Sequence, residues 1–266
     1  MVRFSIVTVA YNAGNKLRDT VQSVLEQSFS DFEIVIKDGG STDNSLSLIP
    51  EDPRVHVISR KDRGIYDAMN QAVCHVSGEY VLFLNCGDIL YNEHILERVN
   101  SEIAKDDGRA QMYYGDVFVK SRGGVIRTPE DLTDYWLINK TICHQTIFFQ
   151  KRIFDICNYE YEAFSLAADM GLYVRCIKEF GMKARHMPFI VVNYEGGGTS
   201  ETIENKKAII AQKKAIMKKY YSADACRKVT IMRVVRLKVL KEYISTSKMF
   251  FNLYEKVASI KAKAER

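Results

Sequence analysis

Short apolar runs, each cut off by polar residues, set the plan of the first third of the chain. Phe4–Ala10 reads FSIVTVA, Phe32–Ile36 reads FEIVI, Val55–Ile58 reads VHVI and Val81–Leu84 reads VLFL. They are rich in β-branched and aromatic residues and end at Asn, Asp or Gly, as expected of strands in the interior of a sheet. Between them the apolar positions take up a helical period. Leu17, Val21, Val24 and Leu25 share one face, as do Ile65, Met69, Ala72, Val73 and Val76. Ser41 and Thr42 are placed to cap a short helix over 43–49, and another helix is expected over Ile89–Ile103. This alternation predicts an α/β domain of Rossmann type, with a mostly parallel central sheet, right-handed crossovers and helices on both faces.

After residue 111 the pattern loosens. YYGDVFVK (113–120), HQTIFFQ (144–150) and Ile190–Tyr194 read as strands of a mixed region, and Phe164–Phe180 as a helix carrying Asp169. Gly196-Gly197-Gly198 marks a loop, and the remainder is helical and basic. Parallel strands deliver their ends to one edge, where open α/β sheets bind ligands. Here those ends carry Tyr11-Asn12, Asp38, Arg60 to Asp62, and Asn85 to Asp88. Each admits two readings. Asp88, closing FLNCGD, is either a helix-capping turn residue or a metal ligand. Asp38, in DGGSTD, is either a turn or an acceptor for a ring N–H such as that of uracil. Asp67 and Asn70 share a helical face beside the same edge. Asp169 lies among small and apolar neighbours, which predicts a raised pKa suited to a general base. His144 is either structural or a contact to metal or diphosphate.

Charge splits the chain. Residues 201–266 carry 17 Lys/Arg against 6 Asp/Glu, so they are net positive, while residues 1–200 hold 21 against 27. A domain boundary near residue 200 is expected from that switch. The six cysteines form no Cys-x-x-Cys pair, which argues for reduced thiols and a cytoplasmic location rather than a disulfide framework. No apolar run approaches the roughly 18 residues of a membrane span.

Taken together, VTVAYNAGNKL (7–17), IVIKDGGSTDNS (34–45), RKDRGIYDAMNQA (60–72), LNCGD (84–88) and AADMGLYVR (167–175) resemble the family-2 glycosyltransferases over roughly residues 3–200. The resemblance implies a GT-A fold, with residues 1–110 as a nucleotide-binding half and 111–200 as an acceptor-binding half, and a basic extension over 201–266. It implies inverting transfer of a sugar from a nucleotide diphosphate donor, UDP-sugar favoured, to a hydroxyl of a saccharide or lipid-linked saccharide in surface-polysaccharide assembly. Thr8, Ala10, Tyr11, Asn12, Asp38, Arg60, Asp67 and Asn85 would contact the donor. Asp88 would hold Mg²⁺ or Mn²⁺, Asp169 would act as base, and His144 and Gly197 would touch acceptor or diphosphate. The chain departs from the family's pattern at Asn85 and Gly87, where aspartates are common, and at Ala168, where a glutamate precedes the base.

Arg227, Lys228, Arg233, Arg236, Lys238 and Lys241 alternate with Val229, Met232, Leu237 and Leu240, and Met249, Phe250 and Phe251 follow. Such a segment (227–266) suits an anionic membrane surface at the inner face of the plasma membrane, or a helix packed on the domain. Nucleic acid is disfavoured, since base-stacking aromatics are not interleaved there. A nucleotidyltransferase is disfavoured by the lack of a glycine-rich, Arg-bearing loop after the first strand. A non-catalytic sugar-nucleotide-binding subunit stays open because the acidic cluster is thinned.

Overall fold

The computed structural model describes residues 2–196 and 202–246. The first compact unit, Met1–Tyr220, is organised by a nine-stranded sheet. Its strands are β1 (Phe4–Ala10), β2 (Phe32–Asp38), β3 (Val55–Ser59), β4 (Tyr80–Phe83), β5 (Ile89–Leu90), β6 (Met112–Val119), β7 (Gly124–Ile126), β8 (Ile147–Gln150) and β9 (Ala184–Tyr194). The order is β3-β2-β1-β4-β8-β6-β9-β5, with β7 pairing β6. Pairing is parallel from β3 to β4, then mixed: β8 runs antiparallel to β4 and β6, while β9 is parallel to β6.

Alternation along β1 explains how the sheet is covered. Phe4, Ile6 and Ala10 face a core built with Leu17, Val21 and Val24 of α1 (Asn15–Leu25) and Ile95, Leu96, Val99 and Ile103 of α3 (Ile95–Lys105). The opposite face holds Val7, Val35, Val81 and Phe83, all 0–1 % exposed, and contacts α2 (Ile65–Ala72). There Phe83 meets Tyr159 edge-on, and Tyr159 stacks on Tyr66 of α2 at 5.4 Å. Burial of each such side chain contributes about 1.5–3 kcal/mol. The central strands are therefore apolar on both faces, and their polar residues collect at the ends.

Several elements differ from the sequence expectation. Ile89–Leu90 is not helical: it forms β5, antiparallel to β9, and α3 starts only at Ile95. Gln27 enforces this, donating to Asn92 O and accepting from Leu96 N. The helix over 43–49 shrinks to a 3-10 turn at Leu46–Leu48, because Asn12 and Asp38 hold the backbone N–H groups of Ser41 to Asp43. The strand over 144–150 begins at Ile147. His144–Thr146 is a 3-10 turn, closed by Thr146 Oγ1 donating to Cys143 O. The helix expected over 164–180 is α5 (Ala168–Lys178), which follows the short α4 (Asp134–Asn139), so Asp169 falls in its first turn.

The compact unit also extends past the charge switch. α6 (Ile203–Tyr220) packs against α5, with Gln212 bonded to Leu166 N and Ser165 Oγ, and Ile216 fully buried. The division falls after Tyr220 instead. The second unit is built on α7 (Ala223–Thr246), whose Asp224 pairs with Arg227 and Lys228. Met249, Phe250 and Phe251 lie outside the described residues. Among the described residues no helix is long and apolar enough to cross a membrane.

Candidate active site

β1 lies between β2 and β4, so the carboxyl ends of all three strands open on one edge. Beyond β4 the chain turns through Asn85–Asp88. Thr20 of α1 fixes that turn: its hydroxyl donates to Asp88 O at 2.8 Å and accepts from Gly87 N at 3.0 Å. The turn forms one wall of a cleft of ≈ 720 Å³, with α5, the His144 turn and the end of β9 supplying the others.

Within this cleft four expected residues converge. Asn85 Nδ2 and His144 Nε2 are 3.2 Å apart, and His144 Nδ1 lies 3.5 Å from Asp169 Oδ2. Tyr66 Oη donates to the other Asp169 oxygen at 3.0 Å. The Asp169 carboxyl is held below its ordinary range rather than above it, which corrects the sequence expectation. Burial is the largest influence and pushes upward. The hydrogen bond and charge of His144, Met170 N–H and the Tyr66 hydroxyl together outweigh it. A carboxylate in the first turn of a helix also benefits from the helix dipole. Asp169 is thus ionised at neutral pH and able to accept a proton. Tyr66 is pushed far up by burial and the Asp169 charge, so it stays a donor.

Asp88, 3 % exposed, is the opposite case. Its oxygens accept from Glu195 N at 2.9 Å and Gln145 Nε2 at 2.8 Å, yet burial, with the nearby Glu195 charge, raises its pKa. The Glu195 carboxylate occupies the space that a side chain at Gly87 would need, and pairs with Lys16 Nζ at 2.6 Å. Acidic charge absent from position 87 is therefore supplied from the end of β9. A divalent cation bound through phosphate oxygens needs only one or two protein carboxylates; Asp88 and the Glu195 carboxylate, which lies against the same turn, are the residues that could hold one. Among the described residues no group of three or more acidic, His or Cys side chains is gathered for a metal. Burial lifts the neighbouring Cys86 thiol to about 12, so it is no nucleophile.

The other expected donor contacts lie outside this cleft. Thr8 is fully buried in β1. The Asp38 carboxylate is 0 % exposed and spent on its own turn, accepting from Gly40 N, Ser41 N and the Ser59 hydroxyl. Asn12 takes a left-handed conformation (φ 50°) and clasps Thr42 N and Asp43 N. Asp67 braces the loop before α2 through Arg63 N and Gln71. Ala10 O accepts from Gly39 N. Tyr11, 67 % exposed, and the exposed Arg60 lie at the adjoining strand ends. Gly197 lies outside the described residues.

Sequence reasoning missed Tyr66, Gln145, Glu195, Lys16 and Lys37. Lys37 is fully buried in β2 and donates to Asp38 O, Arg60 O and Asp62 Oδ2, tying the ends of β2 and β3 together. Its placement in an otherwise apolar run was the available signal, and Gln145 and Tyr66 sat inside segments already singled out.

An α/β sheet with a carboxylate-lined cleft at the carboxyl edge of its parallel strands is the arrangement of the GT-A fold, and comparison with known proteins shows the family. The model of "Glycosyl transferase family 2" matches residues 5–159, so the chain belongs to that family. A PGL/p-HBAD biosynthesis glycosyltransferase of Mycobacterium bovis is 34% identical over 210 residues, covering 77% of this chain and 81% of that protein. Chondroitin synthase of Escherichia coli is 32% identical over 178 residues, 64% of this chain but 26% of the synthase. Among solved structures, a mannosyltransferase from Pyrobaculum calidifontis in complex with GDP-Man and Mn2+ aligns with TM-score 0.67 and 15% identity, covering 97% of this chain and 80% of that one. S. aureus TarS 1-349 in complex with UDP aligns with TM-score 0.61 and 18% identity, over 84% and 68%. At these identities the structures speak for the fold alone.

Proposed function

We propose that this glycosyltransferase moves a sugar from a nucleotide diphosphate donor, UDP-sugar favoured, onto a hydroxyl of a saccharide or lipid-linked saccharide, with inversion, in surface-polysaccharide assembly. The observation that carries the reading is the convergence of Asn85, Asp88, His144 and Asp169 in one cleft beside the ends of β1 and β2. The donor lies against residues 1–110 and the acceptor against 111–200.

In this mechanism Asp169 accepts the proton of the attacking hydroxyl. His144 and Tyr66 hold its two oxygens in place and keep it ionised until that moment. The hydroxyl displaces the diphosphate in one step, from the face opposite the leaving group, which inverts the anomeric carbon. Asp88 and Glu195 would hold Mg²⁺ or Mn²⁺, which supplies positive charge to the departing diphosphate. Tyr11 and Arg60, exposed at the rim, are the side chains free to meet base and phosphate. Asp38, Asn12 and Asp67 shape the loops that present them.

Membrane contact through 227–266 belongs to the same proposal. Ile231, Val234 and Val235 are 52–60 % exposed on α7 alongside the exposed Arg227 and Lys228. The central test is a panel of nucleotide sugars incubated with the protein and Mg²⁺ or Mn²⁺, reading release of nucleoside diphosphate. Release from at least one donor is expected. Nucleotide binding without turnover across the panel would favour a binding subunit without catalysis, and absence of both turnover and binding would refute the reading.

A further inference from the structure

A second cleft of ≈ 480 Å³ lies beside the first, and Thr128 lines both. Its chemistry differs. Arg98 on α3 and Arg127 just after β7 both border it and are exposed, and among the described residues neither is in an ion pair. Arg98 is not a loose surface side chain: its guanidinium sits 4.0 Å above the ring of Phe189. That stacking orients the planar fork and leaves its N–H groups unspent.

Behind the arginines is a polar pair that the transfer reaction does not use. His186 Nε2 lies 3.1 Å from Asp116 Oδ1, and the imidazole leans on the Tyr114 ring at 5.4 Å. Asp116 sits where the register of β6 against β9 shifts, which re-aims its side chain. This carboxylate is 7 % exposed and also accepts from Thr128 N at 3.0 Å, so it is spent on the fold and turned from solvent. The open part of the cleft is thus cationic, and it is flanked by Tyr91, an aromatic ring 40 % exposed.

We propose that this second cleft binds the anionic group, carboxylate or phosphate, of an acidic saccharide. Arg98 and Arg127 grip the anion, and a sugar ring lies against Tyr91. Because Thr128 lines both clefts, a sugar chain with its reactive hydroxyl in the first can extend its next acidic residue into the second. That this saccharide is the acceptor of transfer rests on the glycosyl-transfer reading; the binding itself does not.

The test is calorimetric titration of the whole protein with methyl glucuronide, glucose 6-phosphate and neutral methyl glucoside, with UDP titrated separately. At least one acidic sugar is expected to bind about tenfold tighter than the neutral one, as charge-assisted hydrogen bonds require. The preferred arm tells carboxylate from phosphate. Arg127→Gln and Arg98→Gln are each expected to reduce that affinity about fivefold or more, consistent with loss of one such bond, while UDP affinity is unchanged. Equal binding of all three sugars, or acidic-sugar affinity that survives both substitutions, would overturn the proposal. Loss of UDP binding in the wild type would instead sink the donor reading and leave this one standing.

Discussion

Lys37 is the side chain whose removal the structure prices most clearly. Its ammonium is wholly buried and gives its three protons to Asp38 O, Arg60 O and the Asp62 carboxylate, the last at 3.0 Å with 16 % of the Asp62 side chain exposed. Lys37→Met keeps most of the apolar stem but strips this donor from Arg60 O and the Asp62 carboxylate, while Asp38 O keeps Arg60 N at 3.0 Å. Breaking a buried pair from one side costs about 3–5 kcal/mol. Asp62 retains Gly64 N at 3.1 Å and some water access, which places this case near the lower end. A loss of about 3 kcal/mol corresponds to a fall in Tm of roughly 6–12 °C for a chain of this size. Urea denaturation followed by circular dichroism measures the first quantity and a thermal melt the second. Nucleotide affinity should fall as well, because the ends of β2 and β3 lose their common tether. Adding Asp62→Asn to Lys37→Met should recover part of the loss, since the stranded charge is then gone. Stability of Lys37→Met within about 0.5 kcal/mol of wild type, the usual range of a tolerated surface change, would refute this account of how the rim is held.

Further outcomes follow from the cleft and from the tail. Asp169→Asn should abolish sugar transfer while nucleotide binding, measured by calorimetry, stays nearly intact; full activity would remove Asp169 from the role of base. Asp169 sits below the ordinary 3.8 because His144, Met170 N–H and Tyr66 outweigh burial. Activity and this group's share of stability should therefore persist through neutral pH and fade only as pH drops through that lowered value. Tyr66→Phe removes a donor to the charged form and should move the acid limb of the rate profile upward; an unmoved limb would contradict the assigned bond. Gly87→Ala should cost about 1–3 kcal/mol, mostly backbone strain at φ 97°, because the half-exposed Glu195 can swing aside. Gly87→Asp, although it restores a residue common in the family, should lower activity by displacing Glu195, and a gain would refute the compensation. Deletion of 227–266 should abolish retention on acidic liposomes, and retention that survives would defeat the membrane reading.

How legible the protein was from its residues alone depended on the range of the forces involved. The strands β1 to β4 and the helices α1 and α2 follow from local periodicity, and the observed bounds of β1 match the expected ones. Parallel pairing sets the edge where Asn85 and Asp88 stand, while His144 and Asp169 are singled out by residue type and resemblance, and the structure brings all four to one cleft. What those residues are bonded to could not, because each partner arrives from far along the chain. Asp38 and Asn12 looked like ligand contacts by type, and only folding showed their oxygens consumed by neighbouring backbone.

The same limit explains the inverted pKa of Asp169. Its sequence neighbours are apolar, which predicts a raised value, while His144 and Tyr66, distant in sequence, donate charge and hydrogen bonds that lower it. Likewise Gly87 reads as a lost acid until β9 is seen to bring Glu195 into the vacated space. Residue order thus determined the alternating α/β plan, the family and the edge that carries chemistry, because hydrophobic period and strand-end residues act locally. Tertiary structure alone decided which polar groups are spent on the fold and which are left for a ligand, because hydrogen bonds and charge act through space between segments the chain keeps apart.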